Sequence, residues 1–193
     1  MFLACVAVAG PRQAKAIARP HHVHEDLFDE DDIQIGFKLG PQITSFTSYT
    51  TGSAIVAVQA SYRFVAGAAI KFVYGLPRFE IDCLWNARGW VNTQDTLNSI
   101  AFPVLMKIPV ELDKGLDFEV GAGVMPELVV VGANPHTNTM LGVLASIGLS
   151  IDFTTFVFDF DLRYNFGVSS VSDVFPGAHN RDLEPIAGLL WHF

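Results

Sequence analysis

The chain has 193 residues, enough for one sizeable domain and too short for two typical ones. Half of these residues are hydrophobic, yet no run of about 18 apolar residues occurs, which excludes a transmembrane helix. The formal net charge of −8 and the lack of a basic face exclude a nucleic-acid partner. With 16 Phe and 16 Gly against 12 Lys and Arg, the composition favours β-structure over a helical bundle.

Two segments precede the first regular pattern. Residues 1–16, MFLACVAVAGPRQAKA, contain a short apolar run and then a small-x-small site, so we expect a signal peptide; it would be truncated, since the basic n-region is missing. An ordinary N-terminal tail is the alternative. Residues 17–32 place three histidines beside six acids, a composition able to hold zinc or nickel. Without a rigid scaffold such a segment binds metal weakly, so we expect a flexible periplasmic tail and no metal site.

From residue 33 onward, apolar and polar residues alternate with a period of two. Successive side chains of a strand point to opposite sides, so this period predicts strands whose two faces lie in different media. In the stretch FVFDFDLRYNFGV, for example, Phe158 and Phe160 share one parity, and Asp159 and Asp161 share the other. The alternating segments are 33–45, 60–74, 78–91, 99–112, 115–131, 139–153, 156–168 and 183–193.

The connections between these segments alternate between short and long. The short ones lie at 75–77, 113–115 and 154–155, and the long ones at 46–59, 92–98, 132–138 and 169–182. This asymmetry is typical of outer-membrane barrels, whose tight turns face the periplasm. The sequence therefore predicts an all-β fold over 33–193, an eight-stranded antiparallel up-and-down transmembrane β-barrel with both chain ends at the periplasmic side.

Charged residues along the segments almost all share the less apolar parity. An eight-stranded barrel is barely wide enough for its own interior side chains, so it cannot enclose nearly every Phe and Ile. We therefore place the apolar parity against lipid and the charges in the lumen, where buried ions need partners. We predict a structural charge network of Lys38, Arg63, Lys71, Glu80, Asp82, Arg88, Lys107, Asp117, Glu119, Asp159, Asp161 and Arg163. A soluble lipocalin-like barrel that binds an apolar ligand is the alternative.

Several of these segments together resemble a known family. They are IAFPVLMKIPVEL, FEVGAGVMPELVV, FDFDLRYNFGVSSV and the final segment after Asn180-Arg181. In order and spacing they are similar to the PorT-like outer-membrane β-barrel family. The resemblance implies insertion in a Gram-negative outer membrane, with an activity that is mostly undefined and, in some members, a link to secretion or cell-surface maturation. The alternating Leu189, Trp191 and Phe193 resemble the C-terminal signal that outer-membrane assembly machinery recognises.

The pattern thus indicates location and architecture rather than activity. We expect a monomeric, non-enzymatic protein of the outer membrane, in contact with its lipid and free of cofactors. Its long links 46–59 and 169–182 would contact a protein or a surface polymer. A lipid-modifying barrel enzyme is the alternative, because His136 and His179 lie in predicted outer loops. Their spacing from nearby serines matches no mechanism, so we predict no catalytic residue.

Overall fold

A computed structural model describes residues 32–46, 49–51, 54–56, 61–89, 96–131, 139–169 and 179–193. The predicted signal peptide, the predicted tail up to residue 31, and His136 lie outside the described residues. All of the link 132–138 and parts of the other three long links lie outside them as well. In the part of the chain that is described, no helix is long and apolar enough to cross a membrane.

The described residues form eleven strands. They are β1 (Asp32–Phe46), β2 (Tyr49–Thr51), β3 (Ala54–Val56), β4 (Ser61–Val73), β5 (Arg78–Gly89), β6 (Thr96–Ala101), β7 (Val104–Asp113), β8 (Leu116–Val131), β9 (Thr139–Asp152), β10 (Phe156–Gly167) and β11 (Asn180–His192). The short strands β2 and β3 form a separate two-stranded sheet within the link between β1 and β4. The sequence pattern predicts a long loop over that link.

The remaining strands close into one antiparallel barrel. Strand β1 pairs with β4 on one side and with β11 on the other, which joins the first strand to the last. Neighbours along the chain pair around the rest of the wall, and β6 and β7 follow each other along a single wall position between β5 and β8. The wall therefore has eight strand positions, and the predicted eight-stranded antiparallel barrel is confirmed.

The predicted segment 99–112 is interrupted where β6 ends and β7 begins, at Phe102-Pro103. Proline has no N–H and cannot donate to a ladder, which explains the break. Adjacent strands still hold the junction, because the Asp82 N–H donates to the Pro103 carbonyl at 3.0 Å and the Phe102 N–H donates to the Pro126 carbonyl at 2.9 Å. The apolar parity continues across the break, so β6 and β7 keep the same faces towards the lumen and the exterior.

The two ends of the barrel differ in their connections. At one end, strands are joined by tight turns around Gly75, Lys114-Gly115 and Thr154. Gly75 and Gly115 have φ of 80° and 78°, a backbone region that glycine enters without steric cost. The start of β1 and the end of β11 lie at this same end, which we name the short-turn end. In outer-membrane barrels the short turns face the periplasm.

The two faces of the wall are opposite in character. Phe37 is 65% exposed and Phe160 46% exposed on the outside, whereas Lys38 and Asp159 are each 1% exposed on the inside. Charges therefore point into the lumen and aromatic and branched residues point outward, the reverse of a lipocalin-like interior. The lumen also holds large apolar side chains, which the predicted charge network did not include, namely Leu84, Leu105, Met125, Leu144, Ile186 and Leu190.

Candidate functional site: an ion network in the barrel lumen

Six strands contribute charged side chains to the middle of the lumen. The bases are Lys38 on β1, Lys71 on β4, Lys107 on β7 and Arg163 on β10. The acids are Glu80 and Asp82 on β5, Glu119 on β8, and Asp159 and Asp161 on β10. Period-two alternation brings all nine to the inner face, where no side chain among them is more than 3% exposed. We name these nine residues the lumen ion network.

At the centre of the network, two lysines bind the same two carboxylates. Lys107 Nζ lies 2.8 Å from Asp161 Oδ1 and 3.0 Å from Glu80 Oε2. Lys38 Nζ lies 2.8 Å from Glu80 Oε1 and 3.0 Å from Asp161 Oδ2. Glu80 and Asp161 therefore each bind both ammonium groups, which links β1, β5, β7 and β10 across the lumen.

Arg163 connects the centre of the network to a further acid on β5, Asp82. Its guanidinium lies 2.5 Å from Glu80 Oε1, 2.5 Å from Asp82 Oδ2 and 3.0 Å from Asp161 Oδ2. A guanidinium presents several N–H groups in one plane, so a single arginine can bind carboxylates from two strands at once. Charge-assisted bonds of this length are among the strong hydrogen bonds of proteins.

A second group of ion pairs leads towards the short-turn end. Lys71 Nζ lies 2.8 Å from Glu119 Oε1 and 3.2 Å from Asp159 Oδ1. Arg78, at the start of β5, lies 2.8 Å from both Glu119 and Asp117. The side chains of Arg78 and Asp117 are 20% and 21% exposed, so the chain of ion pairs reaches from the buried centre to the mouth of the barrel.

Two inward-facing glycines provide space for the network. A Cβ atom at Gly148 would lie 2.5 Å from Asp161 Oδ1, and one at Gly121 would lie 3.0 Å from Lys107 Cγ. At the first distance a neighbouring atom would have to move, and at the second the contact would be tighter than most real Cβ contacts. Glycine at these positions of β8 and β9 therefore lets charged side chains from β7 and β10 lie flat across the wall.

Beyond the network, nearer the long-loop end, the lumen is lined by amides and further carboxylates. Gln42 Nε2 donates to Glu184 Oε1 at 2.8 Å, and Asn165 Nδ2 donates to Asp182 Oδ2 at 2.9 Å. The Ser99 hydroxyl donates to Glu127. Clusters of apolar side chains also line the lumen, so its filling alternates between polar and apolar groups.

The predicted network residues are not all found together. Lys38, Lys71, Glu80, Asp82, Lys107, Glu119, Asp159, Asp161 and Arg163 form the lumen ion network, with Asp117 at its edge. Arg63 is exposed towards the long-loop end of β4 and does not belong to the buried cluster. Arg88 lies in β5, but its side chain is outside the described ones. Arg78 was missed, although it shares the parity of Glu80 and Asp82.

Leu189 and Trp191 of the predicted assembly signal lie on the outer face of β11, and Phe193 follows the end of this strand. Leu189 is half-buried, and Trp191 and Phe193 are exposed, with 37% and 78% of their surface accessible. The ring of Trp191 meets Phe37 of β1 edge-on, with centroids 6.4 Å apart. The Phe193 N–H donates to the Ile33 carbonyl at 2.9 Å. These contacts lie across the junction at which the barrel closes.

Three carboxylates of the network are close enough to share a cation. One oxygen each from Glu80, Asp159 and Asp161 lies within 4.8 Å of the other two. Lys38 Nζ is 2.8 Å, 3.4 Å and 3.0 Å from these three groups, respectively. A lysine ammonium therefore already lies where a metal ion would have to bind, so the arrangement is that of a structural ion cluster.

Comparison with known proteins supports this architecture. Neither a protein-family model nor a curated protein matches the chain. Among solved structures, the crystal structure of Neisserial surface protein A (NspA) is similar at a TM-score of 0.61 and 15% identity, over 82% of this chain and 97% of that one. The solid-state NMR structure of the outer membrane protein AlkL in DMPC lipid bilayers is similar at a TM-score of 0.52 and 12% identity, over 92% and 97%. At these identities the likeness concerns the fold.

The fold is thus that of small eight-stranded outer-membrane β-barrels. An exterior of exposed Phe, Ile, Leu and Val around a charged lumen is suited to lipid outside and polar contacts inside. Together, this exterior and this fold locate the protein in an outer membrane, as the alternation of the sequence predicted. A soluble lipocalin-like barrel would need the opposite arrangement of faces.

Proposed function

We propose that the protein is a non-enzymatic outer-membrane barrel whose lumen is plugged, and that its long loops contact a partner or a surface component. The proposal of a plugged lumen rests on the contacts between side chains at the centre of the lumen. Lys38, Lys107 and Arg163 each lie within 3.0 Å of Glu80 and of Asp161. These ion pairs connect opposite sides of the wall.

A solute crossing this region would have to separate buried ion pairs. Breaking such a pair leaves an uncompensated charge in a medium of low dielectric constant, which costs roughly 3 to 5 kcal/mol for each pair. The apolar clusters around Leu84 and Leu105 fill further parts of the lumen. An eight-stranded barrel has little interior space beyond its own side chains, so we expect no permanent water path.

Conductance across a planar lipid bilayer tests the plug. The full chain, refolded in detergent and inserted into the bilayer, should give no stable current steps above the lipid background. The matched control is the double variant Glu80→Ser with Arg163→Ser, which removes one acid and one base from the same cross-section and should raise the current. Frequent steps of uniform size from the unchanged protein would contradict a plugged lumen.

Contact with a partner is proposed for the long links 46–59 and 169–182. Both links connect strand ends that lie opposite the tight turns, and this end would be the cell exterior in an outer membrane. Loops carried on a rigid scaffold are the usual place for recognition. Cross-linking from cysteines placed at residues 52 and 174 in intact cells should capture a protein or polymer. Cysteines placed at Lys114 and Thr155, at the short-turn end, should not capture the same molecule.

The absence of catalysis is also a proposal, supported by the contacts of the one described histidine near the long-loop end. His179 Nδ1 lies 3.3 Å from the Ser169 backbone carbonyl oxygen. The Ser169 hydroxyl accepts a hydrogen bond from the Leu141 N–H at 2.8 Å. The described contact thus joins the ring to the backbone of Ser169, whereas a serine nucleophile needs its hydroxyl to donate to the histidine. Unchanged lipid A acylation in a deletion strain would agree with this proposal, and a loss of one acyl modification would contradict it.

Membership of the PorT-like group, with a role in secretion or envelope maturation, is the finer form of this proposal. Its support is the order of the segments that resemble the family, whose described residues lie mainly in β6, β7, β8, β10 and β11. A deletion strain should then show reduced secretion or incomplete maturation of cell-surface proteins. Normal secretion and normal surface proteins in that strain would leave the barrel without this role.

A further inference from the structure

The outer face of the barrel carries one charged side chain among those that the structure describes. This is Arg181, near the start of β11, and the other described charges of the barrel strands share the inner parity. The side chain of Arg181 is exposed. Its guanidinium forms no ion pair with a described residue, whereas Arg78 and Arg163 are each bound to carboxylates. A cation without a counter-charge thus lies on a surface that otherwise faces lipid.

The neighbours of Arg181 hold it against the wall. Phe166 of β10 lies directly opposite Arg181 in register, and the guanidinium carbon lies over its ring, 5.4 Å from the centroid. On the other side, the Ser45 hydroxyl of β1 donates to the Arg181 carbonyl at 3.4 Å. An aromatic face attracts a cation without accepting its N–H groups in ordinary hydrogen bonds. The planar fork of donors is therefore available to an acceptor outside the wall.

The depth of Arg181 is that of the outer membrane interface. Arg181 lies ten residues before Trp191, which is exposed on the same face at the short-turn end. At about 3.3 Å per residue and a strand tilt of about 40°, ten residues rise by roughly 25 Å along the barrel axis. The apolar band of outer-membrane barrels is also about 25 Å tall, with aromatic residues at both borders. With Trp191 at the inner border, Arg181 lies level with the headgroups of the outer leaflet.

Two tyrosines lie one row closer to the membrane centre and indicate the same border. Tyr62 of β4 and Tyr164 of β10 share a row with Ile43 and Leu183, which pair between them. Both tyrosines are exposed on the outer face. Tyrosine is enriched where acyl chains meet headgroups, because its ring is apolar and its hydroxyl is polar. The next row outward, which contains Arg181, therefore reaches the phosphate groups of the lipid.

We propose that Arg181 binds the phosphate of an anionic lipid headgroup in the outer leaflet. A guanidinium can donate two parallel hydrogen bonds to phosphate oxygens, which fixes the headgroup at one point of the rim. Below it, the exposed side chains of Leu183 and Tyr164 provide an apolar surface for the acyl chain of the same lipid. A soluble phosphate lacks this second contact. The site requires only that the barrel lies in an outer membrane, and it would exist with an open lumen as well.

Native mass spectrometry of the full chain tests this site. The detergent-refolded protein is mixed with equal amounts of phosphatidic acid and of neutral phosphatidylcholine with the same acyl chains, and the retained lipids are counted. The wild-type protein should retain phosphatidic acid in preference to phosphatidylcholine. Arg181→Gln should lower this preference by about fivefold, the effect of one basic residue near an anionic membrane surface. An unchanged preference in Arg181→Gln would overturn the site.

Arg63→Gln is the matched control, because Arg63 is an exposed base at the same end of the barrel but on the inner parity. It should keep the wild-type preference, and equal losses in the two variants would overturn the site in favour of a general effect of net charge. Equal retention of both lipids by the wild-type protein would overturn the site without any variant. Retention of glycerol 3-phosphate as strong as that of phosphatidic acid would overturn the assignment to a lipid.

Discussion

Lys107 and Asp161 are joined by two contacts of 2.8 Å across the lumen, although 54 residues separate them in the chain. Neither side chain is more than 3% exposed. Each also binds further members of the lumen ion network, so this pair lies at the point where β7, β5 and β10 are linked. Its removal should affect the barrel more than the removal of any pair at the rim.

Replacing Lys107 by methionine tests the contribution of this pair. The variant leaves Asp161 and Glu80 with one ammonium fewer in a buried site, which should lower the free energy of unfolding by roughly 3 to 5 kcal/mol. Urea titration of the detergent-refolded protein measures this change. Lys114→Met removes the same charge from an exposed turn and should change stability by less than about 0.5 kcal/mol. Equal effects of the two substitutions would mean that the network does not stabilise the barrel.

The orientation of the two faces is tested by Phe160→Arg and Asn165→Ala, both on β10. Phe160 is 46% exposed on the outer face, and arginine on a lipid face costs about 2 to 4 kcal/mol near the bilayer midplane. Asn165 is fully buried in the lumen and hydrogen-bonded to Asp182. Phe160→Arg should therefore block membrane assembly far more than Asn165→Ala, and Phe160→Leu should assemble normally. Equal assembly of the arginine and alanine variants would contradict the assignment of the Phe160 face to lipid.

Gly148 provides a test of the space that the network needs. A methyl group there would lie 2.5 Å from Asp161 Oδ1, so Gly148→Val should displace that carboxylate and destabilise the barrel by about 1 to 3 kcal/mol. Ala145→Val, on the exposed face of the same strand, adds carbon atoms towards lipid and is the matched control. The thermal midpoint for loss of the compact gel band distinguishes them. A stable Gly148→Val variant would show that the lumen has unused space.

Labelling of the native Cys83 tests whether the outer face of β5 lies in lipid, and it needs no substitution in that strand. It is exposed in the middle of β5, on the parity that faces outward. In a chain with Cys5→Ser, a membrane-impermeant maleimide should leave Cys83 unlabelled in liposomes and label it after denaturation. Lys114→Cys in a chain that carries both Cys5→Ser and Cys83→Ser should be labelled in both states. Rapid labelling of Cys83 in intact liposomes would place that face in water.

Most of the strand positions could be predicted because alternation is a local property. Segments 78–91, 139–153 and 156–168 correspond to β5, β9 and β10 within two residues at each end. The interruption at Phe102-Pro103 was not predicted, since apolar residues continue through it with unchanged parity. The β2–β3 hairpin was also missed, because its strands are only three residues long.

The network could be predicted as a set of residues but not as a set of pairs. Parity placed Lys107 and Asp161 on the inner face, and it would have placed Arg78 there as well. Parity also assigned Arg63 to the network, but this residue lies near the start of β4, at the long-loop end, where its side chain is exposed. Depth along the barrel depends on the register of each strand against its neighbours, which no single segment contains.

The sequence by itself determined that eight strand positions cross the membrane and which side of each strand faces lipid. These properties follow from side chains that alternate along one strand at a time. Only the tertiary structure decided which acid meets which base, and that Asp32, Asp152 and His192 come together from three strands. Such contacts depend on closure between β1 and β11 and on the register around the whole barrel, so they exist only once the chain has folded.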